Sequence, residues 1–319
     1  MKKIIISLAL SLVAAVTVAQ QDAQISMNQF NKIAINPGSV GFGKALCATI
    51  IGRQQWAGFD GAPQTGLVSV DYGRIFHGGI GLTVDHDQIG MTKNTKAKLA
   101  YSYHQMLNIG YLGIGVDAGM IQSSLDGNFI APDGTQNDQH IPWNGSSITT
   151  YDVGFGLYYE IPKMLKVGIS ALHLPGQAQA DKENVAGSEV SLNVARHYYV
   201  FTEYTVRVNP SFEVVPAVYA KTVLASTQLD ISTLAWWKPN NKYKLFIGGS
   251  YRLQDAIIAM GGVQWTIDRR MATQFGYAYD INMSDLSDYN NGSHELMLKF
   301  CYKIVPEKKI TRHMNVRFL

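Results

Sequence analysis

Apolar and polar positions alternate along most of this chain. Residues 109–121 read IGYLGIGVDAGMI: Leu112, Ile114, Val116, Ala118 and Met120 fall on one side, Gly113, Gly115, Asp117 and Gly119 on the other. In KAKLAYSYHQ (96–105), Lys96, Lys98, Ala100, Ser102 and His104 oppose Ala97, Leu99, Tyr101 and Tyr103. Val153, Phe155, Leu157 and Tyr159 oppose Gly154, Gly156 and Glu160, and Leu296, Leu298, Phe300 and Tyr302 oppose Glu295, Met297, Lys299 and Cys301. A period of two belongs to strands with one apolar and one polar face. Such faces suit a soluble sandwich, where apolar sides meet in a core. They equally suit an outer-membrane barrel, where the apolar side meets lipid.

Strand length separates the two. The pattern predicts fourteen strands: 45–56, 64–73, 77–87, 94–106, 109–122, 150–160, 163–172, 190–204, 210–220, 223–237, 242–253, 255–267, 270–282 and 293–303. Most reach the span of about 9–11 residues that a tilted membrane strand needs, against about 5–6 for a usual globular strand. Short connections, near 73–76, 106–108, 161–163, 207–209, 238–241 and 268–270, alternate with a second set. In that set 57–63, 88–93, 123–149, 173–189 and 283–292 are longer, while those near 221 and 254 are short. Short periplasmic turns opposite longer extracellular loops are the outer-membrane arrangement. The expected fold is all-β: a closed antiparallel transmembrane barrel at 44–303, in contact with outer-membrane lipid. Trp56 and Phe59, in the turn RQQWAGFDGAPQT, would then sit at the extracellular lipid–water boundary, where amphipathic rings are at home.

Composition agrees. Charged residues are 16% of the chain, aromatics 11%, with 17 Tyr and 30 Gly, against about 25% charged in soluble domains. Met1–Ala19 has a basic start, an apolar run and small residues at its end, and reads as a cleaved secretory signal peptide. No later apolar run approaches the roughly 18 residues of a membrane helix. The net charge of +3 gives no reason to expect a nucleic-acid partner. Residues 304–319 are strongly basic and form a periplasmic tail, either simply solvated or docked on a partner.

Candidate chemistry is sparse. Asp85 and Asp87 share a face and His86 points away, so the three do not converge on a metal. No His-Glu-x-x-His, Gly-x-Ser-x-Gly or Walker stretch occurs, and neither a cofactor nor a catalytic site is expected. The inward faces carry Arg53, Lys96, Lys98, Asp117, Glu160, Lys166, Lys244, Arg252 and Lys299. Unpaired buried charges are too costly to persist, so the lumen holds water, ion pairs or a polar plug. Residues 20–43 either fill the lumen, with Asn36, Pro37 and Gly38 making the bend before the first strand, or hang in the periplasm. Cys47 and Cys301 point inward near the periplasmic ends of the first and last strands. In a closed barrel they are neighbours across the seam, bonded or merely space-filling.

Several stretches taken together resemble the PorP/SprF family of Bacteroidetes outer-membrane proteins. They are Gln21-Asp22-Ala23-Gln24-Ile25-Ser26, Asn36-Pro37-Gly38-Ser39-Val40-Gly41, the run from Arg53 to Pro63, and Gly292-Ser293-His294-Glu295-Leu296. The resemblance implies a cell-outer-membrane barrel, not an enzyme, that belongs to or works beside the type IX secretion and gliding machinery. Its implied partners are other type IX components and a secreted adhesin-like cargo protein. Two other readings remain: a transport barrel for solutes or hydrophobic compounds, similar to fatty-acid transporters, and a soluble periplasmic β-protein.

Overall fold

In the computed structural model, which describes residues 22–125, 146–176, 183–185, 188–190, 194–223, 226–283 and 288–304, one antiparallel sheet closes on itself. Its barrel strands are β1 (Leu46–Gln54), β2 (Gln64–Ile75), β3 (Gly78–Ile89), β4 (Thr92–Met106), β5 (Tyr111–Leu125), β6 (Ser146–Ile161) and β7 (Leu165–Leu172). They continue with β8 (His197–Tyr204), β9 (Phe212–Thr222), β10 (Thr227–Trp237), β11 (Tyr243–Arg252), β12 (Ala256–Thr266), β13 (Met271–Asn282) and β14 (Ser293–Tyr302). Val206–Asn209 prolongs β8 and pairs with β9. Sequential strands pair around the wall, and β1 pairs with β14 from Leu46↔Tyr302 to Gln54↔His294. The fold is thus a closed 14-strand antiparallel barrel. Closure is what hydrocarbon demands, because an open edge would leave backbone N–H and C=O groups unpaired.

Exposure follows the predicted alternation. Ile50 is 50% exposed and its neighbour Ile51 1%. Val68, Leu99, Val116, Ile169, Ile231, Ile247 and Leu298 are likewise exposed on the outer wall, where lipid replaces water as their solvent.

Several boundaries differ from the pattern. β1 ends at Gln54, because Trp56 takes a left-handed φ of 51° and turns the chain. The β3–β4 connection is only Gly90 and Met91, with Gly90 at φ 55° making the tight hairpin, so both strands are longer than expected. β8 starts at His197 rather than 190, and Ser188–Val190 instead pairs with Glu183–Val185 in a separate short hairpin. The signal-peptide reading of 1–19, most of the 123–149 loop and almost all of the basic tail lie outside the described residues.

Inside the wall runs the segment from Asp22 to Lys44. It has three single-turn 3-10 helices, Asn28–Phe30, Lys32–Ala34 and Pro37–Ser39. Its presence changes the lumen from the polar surface that alternation alone suggests. Met27 is buried with the inward-facing Ile51, Leu67, Leu234, Phe246, Ile258, Met260, Ala278 and Met297. Phe30 packs on Phe246 and Trp236, with ring centroids 4.8 and 6.2 Å apart. One side of the lumen is therefore an apolar core, which a water-filled channel would not favour.

Candidate functional site: a clamped lumen segment

The inward charges sort into three groups, two toward the extracellular end on different sides of the wall and one toward the periplasmic end. The first surrounds Ser26. Arg53 is a register partner of Glu295 across the β1–β14 seam. Its guanidinium lies 3.1 Å from Glu295 and 2.7 Å from Asp280 on β13. Arg252, at the end of β11, reaches Asp280 at 3.2 Å and Asp230 on β10 at 3.1 Å. The lumen segment completes this network. Glu295 accepts hydrogen bonds from the backbone N–H groups of Ser26 (2.7 Å) and Met27 (2.8 Å), and Ser26 Oγ donates to Asp280. Arg53, Arg252, Asp280 and Glu295 are each almost wholly buried. Buried ions persist only when paired and hydrogen-bonded, and here the segment's own backbone supplies part of that pairing.

The same network gathers stretches that stand far apart in sequence. Trp56 N donates to Ser293 Oγ at 3.1 Å. Ala57 N donates to Gly292 O, and Asn291 N to Ala57 O, each at 2.8 Å. The Arg53–Pro63 stretch and the Gly292–Leu296 stretch thus meet at the extracellular mouth. Trp56 is half-buried in this junction, and Phe59 is exposed.

A second group lies at the extracellular end around Asp22. Lys96 pairs with its carboxylate, Tyr199 Oη donates to it at 2.7 Å, and Lys221 Nζ donates to the Asp22 carbonyl at 3.1 Å. His173 Nε2 sits 3.0 Å from its carboxylate. Nearby, Lys98 pairs with Asp152 at 3.1 Å, and Asp117 lies buried against Gly154.

The third group faces the short-turn, periplasmic end. Glu160, Lys166 and Lys299 line a cavity of ≈ 340 Å³. Lys244 lines an adjoining one of ≈ 220 Å³. Lys166 pairs with Glu203 at 3.3 Å, and Lys299 Nζ donates to the Phe30 carbonyl at 2.8 Å. Lys32, on the lumen segment, reaches Glu203 at 2.7 Å. Burial pushes its amine down to about 8, with Glu203 opposing the shift.

Between the first and third groups, Asn36, Pro37 and Gly38 dock against β4 to β7. Asn36 Nδ2 donates to the carbonyls of Leu157 (2.9 Å) and Ile169 (3.2 Å), and its Oδ1 accepts from Gly38 N at 2.8 Å. Ser102 Oγ donates to Gly38 O at 2.8 Å. The wall opposite this turn is Gly113, Gly115 and Gly156. A Cβ at Gly115 would overlap the Pro37–Gly38 backbone, so this approach requires hydrogen there. The inward glycines of β5 and β6 form the slot that receives the turn.

Cys47 and Cys301 are register partners and are joined in a disulfide, with Cα atoms 4.1 Å apart. The bond crosses the seam near the periplasmic rim. Asp85, His86 and Asp87 diverge: His86 contacts Thr95 on the exposed side, and Asp87 accepts from Thr65 inside.

Sequence reasoning missed Ser26, Asp280, Asp230 and Glu295 as members of the buried network. It also missed Asp22, His173, His197 and Tyr199 as a cluster. Glu295 was visible as an inward carboxylate opposite Arg53 once the seam register is set. The others come together only through the course of the lumen segment.

Residues 17–300 match the family described as type IX secretion system membrane protein PorP/SprF. No curated protein matches the chain. Among solved structures, the toluene transporter TbuX of Ralstonia pickettii is similar at TM-score 0.51 and 12% identity, over 86% of this chain and 93% of that one. The toluene transporter TodX of Pseudomonas putida is similar at TM-score 0.51 and 9% identity, over 86% and 94%. At such identities the likeness is one of fold.

Proposed function

Because the chain belongs to the PorP/SprF family of type IX secretion system membrane proteins, we propose that it serves that system as a closed, occupied outer-membrane barrel. It supports the export or surface attachment of a cargo protein without itself being the conduit. The observation that carries this reading is the double hydrogen bond from Ser26 and Met27 to the buried Glu295. A segment held by buried ions at one level and by a glycine slot at another occupies the lumen that a translocating chain would need. Its partners are other type IX components on the periplasmic side and an adhesin-like cargo. The periplasmic cavities lined by Lys166, Lys244, Lys299 and Glu160 offer polar surface to such a partner.

Transport of a hydrophobic compound is the competing reading. It draws on the fold shared with toluene transporters and on a ≈ 450 Å³ cavity at the periplasmic rim, lined by Phe42, Met106, Tyr111 and Pro162 among others. Two measurements separate the readings. The purified barrel in a planar bilayer is expected to be electrically silent, and crosslinking in intact cells is expected to capture secretion components and one cargo. Saturable uptake of an apolar solute, lost on deletion of the protein, with cargo display unchanged, would establish the transport reading instead.

A further inference from the structure

We infer that Asp22, His173 and His197 form a binding site for a divalent transition-metal ion of the zinc type, which fastens the start of the lumen segment to the barrel wall. One donor atom from each residue falls in a cluster whose members all lie within 4.8 Å of one another. Both imidazoles are buried, at 1% exposure each.

His173 is oriented as a metal ligand is, and His197 has one ring nitrogen free to become one. His197 Nδ1 is 2.9 Å from the Ala195 carbonyl, so Nδ1 carries the proton and Nε2 keeps its lone pair. That lone pair accepts a hydrogen bond from the Asp22 backbone N–H at 3.0 Å. His173 Nδ1 lies 2.9 Å from the Asp152 carboxylate, and its Nε2 faces Asp22 at 3.0 Å from both carboxylate oxygens. The Asp152 carboxylate behind His173 Nδ1 and the Ala195 carbonyl behind His197 Nδ1 are partners of the kind that orient a ligating imidazole. His173 Nε2 faces the Asp22 carboxylate, while the His197 nitrogen nearest that carboxylate is Nδ1, at 4.0 Å. Two imidazoles and one carboxylate are a donor set that zinc accepts, leaving a further position for water.

Two local adjustments complete the site. Donors around zinc at about 2.0–2.2 Å stand closer together than 4.8 Å, so His197 moves off the Asp22 N–H and toward the Asp22 carboxylate. Lys96, which now pairs with that carboxylate, has a second partner in Asp85, 3.6 Å away. Asp85 Oδ1 is buried without a hydrogen bond and can take over the ammonium. The ion's charge is then shared by Asp22 and the neighbouring Asp152. No short motif announces the site, because its donors come from the lumen segment, the end of β7 and the start of β8.

The test uses untagged, chelator-stripped protein in detergent, titrated calorimetrically with Zn²⁺ and optically with Co²⁺. The expected result is one equivalent of Zn²⁺ and a tetrahedral Co²⁺ absorption band. Affinity should fall at least tenfold in Asp22→Asn and more in the His173→Gln/His197→Gln double variant. His86→Gln, on the outer face of β3, should bind as the wild type does. Heat-modifiable gel migration reports whether each variant is folded; if the double variant is not, Asp22→Asn decides. Absence of stoichiometric uptake overturns the inference. So does uptake that Asp22→Asn leaves unchanged, or that His86→Gln weakens equally.

Discussion

Arg53 and Glu295, 242 residues apart in sequence, face each other in register across the closing seam, with a guanidinium nitrogen 3.1 Å from a carboxylate oxygen. Both are buried, and both also hold Ser26: Arg53 Nη1 donates to its hydroxyl at 2.9 Å, and Glu295 accepts its backbone N–H. Barrel closure and retention of the lumen segment therefore depend on the same two side chains.

Arg53→Ala removes one partner and leaves Glu295 and Asp280 short of a cation. Breaking a buried pair in this way costs about 3–5 kcal/mol. Urea unfolding in detergent, followed by tryptophan fluorescence, should show the loss. The Arg53→Met/Glu295→Gln double variant should be less destabilised than Arg53→Ala, since no unpaired carboxylate remains at position 295 and the Gln Oε1 still accepts from the backbone of the lumen segment. A double variant as unstable as the single one would refute this account of the pair.

The Cys47–Cys301 disulfide ties together strands 254 residues apart. Linking so long a loop restricts the unfolded chain, and removing a native disulfide typically costs about 2–5 kcal/mol. Reductant should lower the temperature at which the folded gel band converts to the unfolded one. Cys47→Ser/Cys301→Ser should show the lower temperature with or without reductant.

Gly115→Val places a branched side chain where the Pro37–Gly38 backbone lies. The wall can stay closed, because the strand pairing of β5 is made by backbone atoms, while the lumen segment must lift away. The expected outcome is a folded, heat-modifiable barrel whose residues 22–44 become protease-sensitive and whose bilayer recordings show new conductance. Protection equal to wild type would mean that the slot does not hold the turn.

Ile247 is 71% exposed at the middle of β11. If that face meets hydrocarbon, Ile247→Arg should cost about 2–4 kcal/mol, the penalty for a cation near the bilayer midplane. Reversible unfolding into urea from lipid vesicles would measure it. A neutral effect would point to water at that position.

Much of the wall was legible in the sequence because lipid is a strict solvent. It imposes apolar residues at every second position of β5 or β14 and allows no open edge, so strand number and seam pairing follow from the alternation. The interior was less legible. Arg53, Arg252 and Asp117 are buried inside the wall, and nothing local in the sequence distinguishes a charge facing water from one facing Ser26. Met27 and Leu234 share an apolar core only because the lumen segment excludes water there. The inward glycines of β5 and β6 were visible as a row without side chains; their purpose emerges only with the Asn36–Gly38 turn against them. Partners such as Asp22 and His173, 151 residues apart, depend on the path of a segment whose own sequence has no strong periodicity.

The anchorage of Ser26 and Met27 also sets an order on assembly. Their acceptor, Glu295, resides on the final strand, so this stretch of the lumen segment cannot be secured until that strand has been inserted. The Asn36–Gly38 turn and Asp22 have their partners on earlier strands, and the arrival of β14 both shuts the cylinder and completes the hold on its contents.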